Sequence, residues 1–284
     1  MLNALSKYIR GRTHTFIWVV SVLVWFGLIL FPVNSQLVRI VLIAMTILVW
    51  SGIILFFRKR KIIRYILIAL TTALILLLLL PGSAPDIQII RTKYVNVLTS
   101  YEGVYYFWGG ENRIGIDCSG LVRRGLYETY FMLGIKTCNP VLIRAGLSLW
   151  WHDCSARAFM NGCEGRSVPL FTSPSINKMD SSALLPGDFA VTTDGIHMLA
   201  YLGSNVWIEA DPGHRKVIKV SVPVRNNFWF NHPVLLMRWH QLQNPGAMQG
   251  GQSVLQERIS KLNSFPVNNC NCPYTNMPWT SESD

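Results

Sequence analysis

The sequence predicts an α+β domain mounted behind three membrane-spanning helices, and three observations carry that expectation. Residues 1–80 are dominated by three long apolar runs, with no acidic residue before Asp86. Stretches with apolar residues at helical spacing follow, and beyond Leu185 the pattern changes to short strands separated by Gly, Asn or Pro. Helices first and an antiparallel sheet afterwards is the element order of an α+β domain.

The apolar runs are Thr15 to Phe31, Leu37 to Phe57 and Ile62 to Leu80. Each approaches the ~20 residues that a helix rising ~1.5 Å per residue needs to cross a bilayer, the first being slightly short. A buried hairpin of a soluble core does not explain three such runs in succession, and cleavage of the first as a signal peptide leaves the other two unexplained. Lys7, Arg10 and Arg12 precede the first run, and Arg58, Lys59, Arg60, Lys61 and Arg64 lie between the second and third. Basic residues near span ends are retained in the cytoplasm, so three spans put both clusters inside and everything after Leu80 outside. Residues 1–80 thus read as a multi-pass anchor in the cell (inner) membrane, with a cytoplasmic N-terminus and a periplasmic or extracellular C-terminal domain. Arg39, at the outer end of the second run, goes against the trend and is expected to snorkel to the interface.

The same placement disposes of a nucleic-acid partner. Of the net charge of +11, nine come from the anchor, and the remaining chain holds seventeen Lys and Arg against fifteen Asp and Glu. A nearly neutral exported part without a basic stripe does not fit a phosphate backbone. The bilayer is the partner that the charge addresses.

Pro81 to Pro85 breaks the helical pattern and forms a linker. The domain then runs over 86–241. Ile89, Ile90, Tyr94, Val97, Leu98 and Tyr101 predict an amphipathic helix behind an Asp86 cap, and Leu121, Val122, Leu126 and Tyr130 predict a second from Cys118 to about Leu133. Strands are expected over 188–192, 196–202, 206–210, 216–222 and 234–239. Between helices and strands, 134–184 carries Cys138, Cys154, Cys163, Trp150 and Trp151 without a clear period, and 242–284 is a polar tail with one amphipathic stretch at 254–262.

The chemistry is concentrated in YYFWGGENRIGIDCSGL, residues 105–121. Asp117 is placed to cap a helix whose first residue is Cys118, and the positive end of that helix favours the thiolate a cysteine nucleophile requires. A thiolate needs a base, which comes from elsewhere in the chain. His197, at the start of an apolar strand, is the first choice over His152, His214, His232 and His240. A third group must orient the ring. With a three-residue loop at 203–205, Glu209 falls opposite Leu199 and diagonal to His197, while Asp211 falls directly opposite His197; a two-residue loop would turn both acids to the other face. Glu209 and Asp211 both remain candidates.

YFWGG followed by DCSGL, then PGDFAV, GIHMLAYLG and VWIEA, in that order over about 86–240, resembles the NlpC/P60 family of papain-like cell-wall cysteine peptidases. The resemblance implies a papain-like α+β fold, with Cys118 as nucleophile, His197 as base and Glu209 as third residue, twelve positions after the histidine. It also implies that Tyr106, with Ser119 and backbone N–H groups at Cys118, lines the oxyanion and substrate site. Two features depart from the family: its third residue is more often His, Asn or Gln, and the Cys118 to His197 gap is longer than usual, which marks 134–184 as an insertion. The implied activity is hydrolysis of an amide in peptidoglycan stem peptides, commonly the bond between D-glutamate and a diamino acid, with no cofactor and no metal. A non-catalytic wall-peptide-binding scaffold, and a Cys/His amidase or acyltransferase acting on another amide or a lipid, are the rival readings. Apart from Cys118, the five cysteines Cys138, Cys154, Cys163, Cys270 and Cys272 lie in a compartment that permits disulfides, so one or two bridges are expected to staple the insertion. No paired CxxC motifs suggest a metal site instead.

Overall fold

A computed structural model describes residues 2–83 and 85–243, with side chains from Thr15 onward. The polar-tail stretch at 254–262 and Cys270 and Cys272 lie outside the described residues. The N-terminal region forms three helices, α1 (Leu2–Leu30), α2 (Gln36–Phe56) and α3 (Lys61–Leu79). Two segments, Gln36–Lys59 and Lys61–Leu79, are long and apolar enough to cross a membrane, whereas the apolar part of α1 is the shorter Thr15–Leu30. The three expected runs are therefore two long apolar helices and one shorter one. Indole N–H groups bind the helices to one another: Trp18 Nε1 donates to the Val49 carbonyl (3.3 Å), Trp25 Nε1 to Thr46 Oγ1 (2.9 Å) and Trp50 Nε1 to Thr71 Oγ1 (3.0 Å).

The remainder is an α+β domain. Helix α4 (Ile87–Thr99) starts at Asp86, whose carboxylate accepts from the Gln88 and Ile89 amides (2.8 and 3.4 Å). Helix α5 (Cys118–Lys136) extends one turn beyond its expected end. Tyr94 joins these two helices to the sheet, donating to the Val122 carbonyl (2.9 Å) and accepting from Trp239 Nε1 (3.2 Å). The segment without a clear period folds as α6 (Pro140–Trp151), α7 (Ala156–Met160) and β1 (Ser167–Ser173). Asn139 and Ser155 supply the missing start signals by capping α6 and α7. A disulfide joins Cys154 to Cys163, and Cys138 is a free, exposed thiol.

Strands β2 (Phe189–Thr192), β3 (Met198–Gly203), β4 (Val206–Asp211), β5 (Lys216–Ser221) and β6 (Val234–Trp239) complete a six-stranded antiparallel sheet in the order β1-β6-β2-β3-β4-β5. Its alternation is two-sided. Phe189, Val191, Met198, Ala200, Ile208, Ala210 and Met237 pack toward the helices, while Ala190, Leu199, Tyr201, Trp207 and Leu236 pack with Trp229 and Phe230 on the other face. The β3–β4 connection differs from expectation. Ser204 and Asn205 form a two-residue turn, both with positive φ (50° and 60°), and Gly203 (φ 102°) makes a bulge. Ala200 then faces Ile208 and Tyr201 faces Trp207, the register that a three-residue loop gives.

Arg39 does not snorkel. Its side chain is fully buried, with Nη2 donating to Glu111 Oε2 (2.9 Å) and Nη1 to the Trp151 carbonyl (3.1 Å). The fixed carboxylate of Glu111 on the domain takes the guanidinium instead. Around this pair the α1–α2 turn meets the domain: the Glu111 amide donates to the Pro32 carbonyl (2.9 Å), and Asn112 Nδ2 donates to the Leu30 and Phe31 carbonyls (3.2 and 3.0 Å). A separate contact closes the other side. Arg144 of α6 donates to the Leu78 and Leu80 carbonyls (2.6 and 2.8 Å), placing a cation on the C-terminal end of α3.

Candidate active site

The segment before α5 is shaped by backbone contacts that only glycine permits. A Cβ on Gly120 would stand 2.3 Å from the Gly110 carbonyl oxygen, so the first turn of α5 lies directly against the 109–110 loop. Asp117 locks the two together. Its carboxylate accepts from the Gly120 amide (2.5 Å) and the Ser119 hydroxyl (3.0 Å) on the helix and from the Gly109 amide (2.9 Å) on the loop. Ser119 thus spends its hydroxyl on the cap. Cys118 becomes the first residue of the helix, buried, with Sγ 3.9 Å from the Ile196 carbonyl oxygen.

His197 precedes β3 and is fixed by the turn before it. Its amide donates to Thr192 Oγ1 (2.9 Å) and its carbonyl accepts from the Thr192 amide (3.0 Å). Asp194 holds that turn, accepting from Thr192 Oγ1 (2.6 Å) and the Ile196 amide (3.0 Å) and pairing with His232 Nε2 (3.2 Å). Although burial works against ionisation, these hydrogen bonds, with His232 foremost, hold the Asp194 carboxyl at about 2.

The His197 ring has a defined partner on each side. Nε2 lies 2.7 Å from Glu209 Oε2, and the other Glu209 oxygen accepts from Asn227 Nδ2 (2.7 Å). Trp229 stacks on the imidazole, centroids 4.1 Å apart and planes 21° from parallel. Cys118 lies near enough to the same ring to act on its charge, and with Nε2 occupied by Glu209 the nitrogen left for the sulfur is Nδ1. Burial would lower the imidazole pKa, but the charge and hydrogen bond of Cys118, followed by those of Glu209, raise it to about 10. Asp211 is engaged elsewhere: it accepts from the Gly213 amide (2.8 Å) and bonds His214 Nδ1, closing its own turn. The longer Glu209 side chain spans the diagonal, whereas the short Asp211 is consumed locally.

Tyr106 is tied by its amide to the Arg215 carbonyl (2.9 Å) and bridges to Ile116, two residues before Cys118. Burial first, then the charges of Cys118, Asp117 and Asp211, push its phenol well above the ordinary range, so it remains a neutral hydroxyl donor.

Cys118, His197, Glu209 and Tyr106 therefore come together, while Ser119 and Asp211 serve the local structure around them. Asn227 and Trp229 were not legible in the sequence, because they belong to an irregular loop with no period or motif. The arrangement, a thiol at a helix N-terminus with an imidazole held by a buried carboxylate, can perform nucleophilic acyl chemistry.

The family model described as "NlpC/P60 family" matches residues 103–238. Comparison with curated proteins gives no match. Among solved structures, NlpC2 from Trichomonas vaginalis is 18% identical, with 53% of this chain and 46% of that one covered and a TM-score of 0.34. An NlpC/P60 family protein from Bacillus cereus is 15% identical over 55% of this chain and 41% of that one, TM-score 0.35. The peptidoglycan hydrolase RipB from Mycobacterium tuberculosis is 20% identical over 52% and 65%, TM-score 0.30. The chain spans less than half the length of the first two. With the motif blocks in order and the α+β architecture around them, residues 103–238 are an NlpC/P60 family domain, of a family of cysteine peptidases and peptidoglycan hydrolases.

Proposed function

We propose that the chain is a membrane-anchored cysteine endopeptidase that hydrolyses amide bonds in peptidoglycan stem peptides, with the D-glutamyl-diamino acid bond as its target. The observation that carries the reading is Cys118 at the first position of α5, its sulfur against the Ile196 carbonyl that precedes a buried imidazole whose Nε2 is fixed by Glu209. In the first step the Cys118 thiolate attacks the peptide carbonyl. The Cys118 amide, unpaired at the first turn of a helix, and the Tyr106 hydroxyl donate to the resulting oxyanion. His197 passes a proton to the leaving amine, which departs as the acyl-thioester forms. Water then gives its proton to His197, attacks the thioester carbonyl and releases the acid, returning the proton to the Cys118–His197 pair.

Anchoring by three spans, with the domain outside, is supported by two features. The domain contacts the C-terminal end of α1, the N-terminal end of α2 and the C-terminal end of α3. The basic residues Arg58 to Arg64 lie at the α2–α3 connection, which is the opposite end.

Digestion of purified peptidoglycan by the full chain in detergent micelles, beside Cys118→Ala, tests the activity. Stem-peptide fragments identified by mass spectrometry that vanish in the variant are expected. Unchanged muropeptides from folded, reduced wild type would reject the peptidase and favour a wall-peptide-binding module or another amide substrate.

A further inference from the structure

Four charged side chains meet behind the Cys118 loop, away from the sulfur. Glu111 is almost completely buried and its two carboxylate oxygens are divided: Oε1 takes Arg123 Nε (2.6 Å), and Oε2 takes Arg39 Nη2 (2.9 Å) and Asn34 Nδ2 (2.7 Å). Arg123, from α5, also reaches Asp153 of the insertion (2.7 Å) and the Cys154 carbonyl (3.1 Å). The cluster thus joins an apolar N-terminal helix, the helix that begins with Cys118, and the disulfide-bonded segment. Glu111 follows Gly110 directly, and Gly110 both accepts the Asp117 amide (3.0 Å) and abuts Gly120. A shift of Glu111 therefore moves the cap of α5 and the Cys118 backbone.

We infer that Arg39, supplied by α2, is a positioning residue for Cys118. It holds Glu111 from the anchor side while Arg123 holds it from α5, and the clamped 109–112 loop sets the Asp117 cap. The inference rests on the reading of Cys118 as nucleophile. It makes the anchor a structural part of the site rather than a tether alone, because one of the two guanidinium groups that set the loop belongs to the N-terminal helices. Arg39 approaches neither sulfur nor imidazole and acts only through Glu111.

The test uses the full chain in lipid nanodiscs with two readouts: wall-peptide release, resolved into kcat and KM, and the iodoacetamide alkylation rate of Cys118 at neutral pH. Misplacement of a reacting group by ~1 Å costs about 100-fold. Arg39→Gln is expected to lower kcat about 100-fold with KM nearly unchanged and to slow alkylation. Arg39→Lys is expected to restore much of the rate, and Glu111→Gln combined with Arg39→Gln to add little to either alone. Arg144→Gln loosens the α3 contact without touching the loop and is expected to retain wild-type kcat. Wild-type kcat and alkylation in Arg39→Gln overturn the inference, as does an equal loss in Arg144→Gln. If Arg39→Gln does not fold, Asn34→Ala, which removes only the half-buried third contact of Glu111, must lower kcat several-fold for the inference to stand. Should the wild type release no wall peptide while Arg39→Gln still slows alkylation, the substrate reading falls and the positioning role survives.

Discussion

Burial alone would make the His197 imidazole easier to deprotonate, yet Cys118 and Glu209 raise it to about 10. The sign sets two expectations. A histidine raised above its ordinary 6.5 contributes stability fully present below about 6.5 and lost as pH rises through about 10. The proton needed by the leaving amine follows the same limb, so kcat/KM should fall as pH rises through about 10. Glu209→Gln keeps the hydrogen-bond shape without the charge and should move that limb to lower pH while retaining activity within about tenfold. Glu209→Ala also takes from Asn227 Nδ2 and the ring Nε2 the carboxylate that both bond and should cost on the order of 100-fold. Stopped-flow assays across pH on the three proteins check this; identical alkaline limbs in wild type and Glu209→Gln would remove Glu209 from the account. The carboxylate itself was within reach of sequence reasoning, since strand alternation leaves Glu209 or Asp211 and the family resemblance points to Glu209, twelve positions after the histidine. Choosing between them required the bulge at Gly203 and the local bonds of Asp211, and both depend on turn geometry rather than on residue pattern.

Among the elements, α4 and α5 could be read from periodicity because each buries one stripe, and five strands because each is a short apolar run bounded by turn residues. Strand β1 could not. It contains Pro169, sits at the sheet edge and pairs with β6, about seventy residues away, through an irregularity between Pro169 and Phe171. Nothing local distinguishes it from the loop around it. The start of α5, by contrast, is written in DCSG, and its glycine is steric: Gly120→Ala would press a methyl onto the Gly110 carbonyl. Overpacking of this kind costs typically ~1–3 kcal/mol, and here it also displaces Cys118. Thermal unfolding of the full chain should show a lower midpoint, and Cys118 alkylation should slow. Gly103, whose added Cβ meets nothing within 4 Å, sits at φ +84° and would fail for backbone reasons instead.

For the whole molecule, the orientation of the anchor is the testable matter. Cys138 is exposed on the domain, and Lys59 lies at the opposite end of the helical region. With Cys118, Cys270 and Cys272 replaced by serine, Cys138 should react with a membrane-impermeant maleimide in cells whose outer layers are opened but whose inner membrane is intact. With Cys138 also replaced, a Lys59→Cys variant should react only after permeabilisation; early labelling of Lys59→Cys would invert the topology. Long apolar runs made the N-terminal helices readable, since each is marked residue by residue along its own length. The partner of Arg39 was invisible, because a lone arginine near a span end looks the same whether it faces headgroups or a buried glutamate 72 positions away.

The contacts of Asn112 with α1, Arg39 with α2 and Arg144 with α3 attach the domain to all three N-terminal helices. Three separate attachments restrict the swivel and tilt that a single flexible stalk would leave free. With those helices in a bilayer, Cys118 stands at one height above the lipid, as a planing blade stands in its block. Depth of cut is then a property of the mount, and strands of wall passing outside that plane escape regardless of how well their peptides fit.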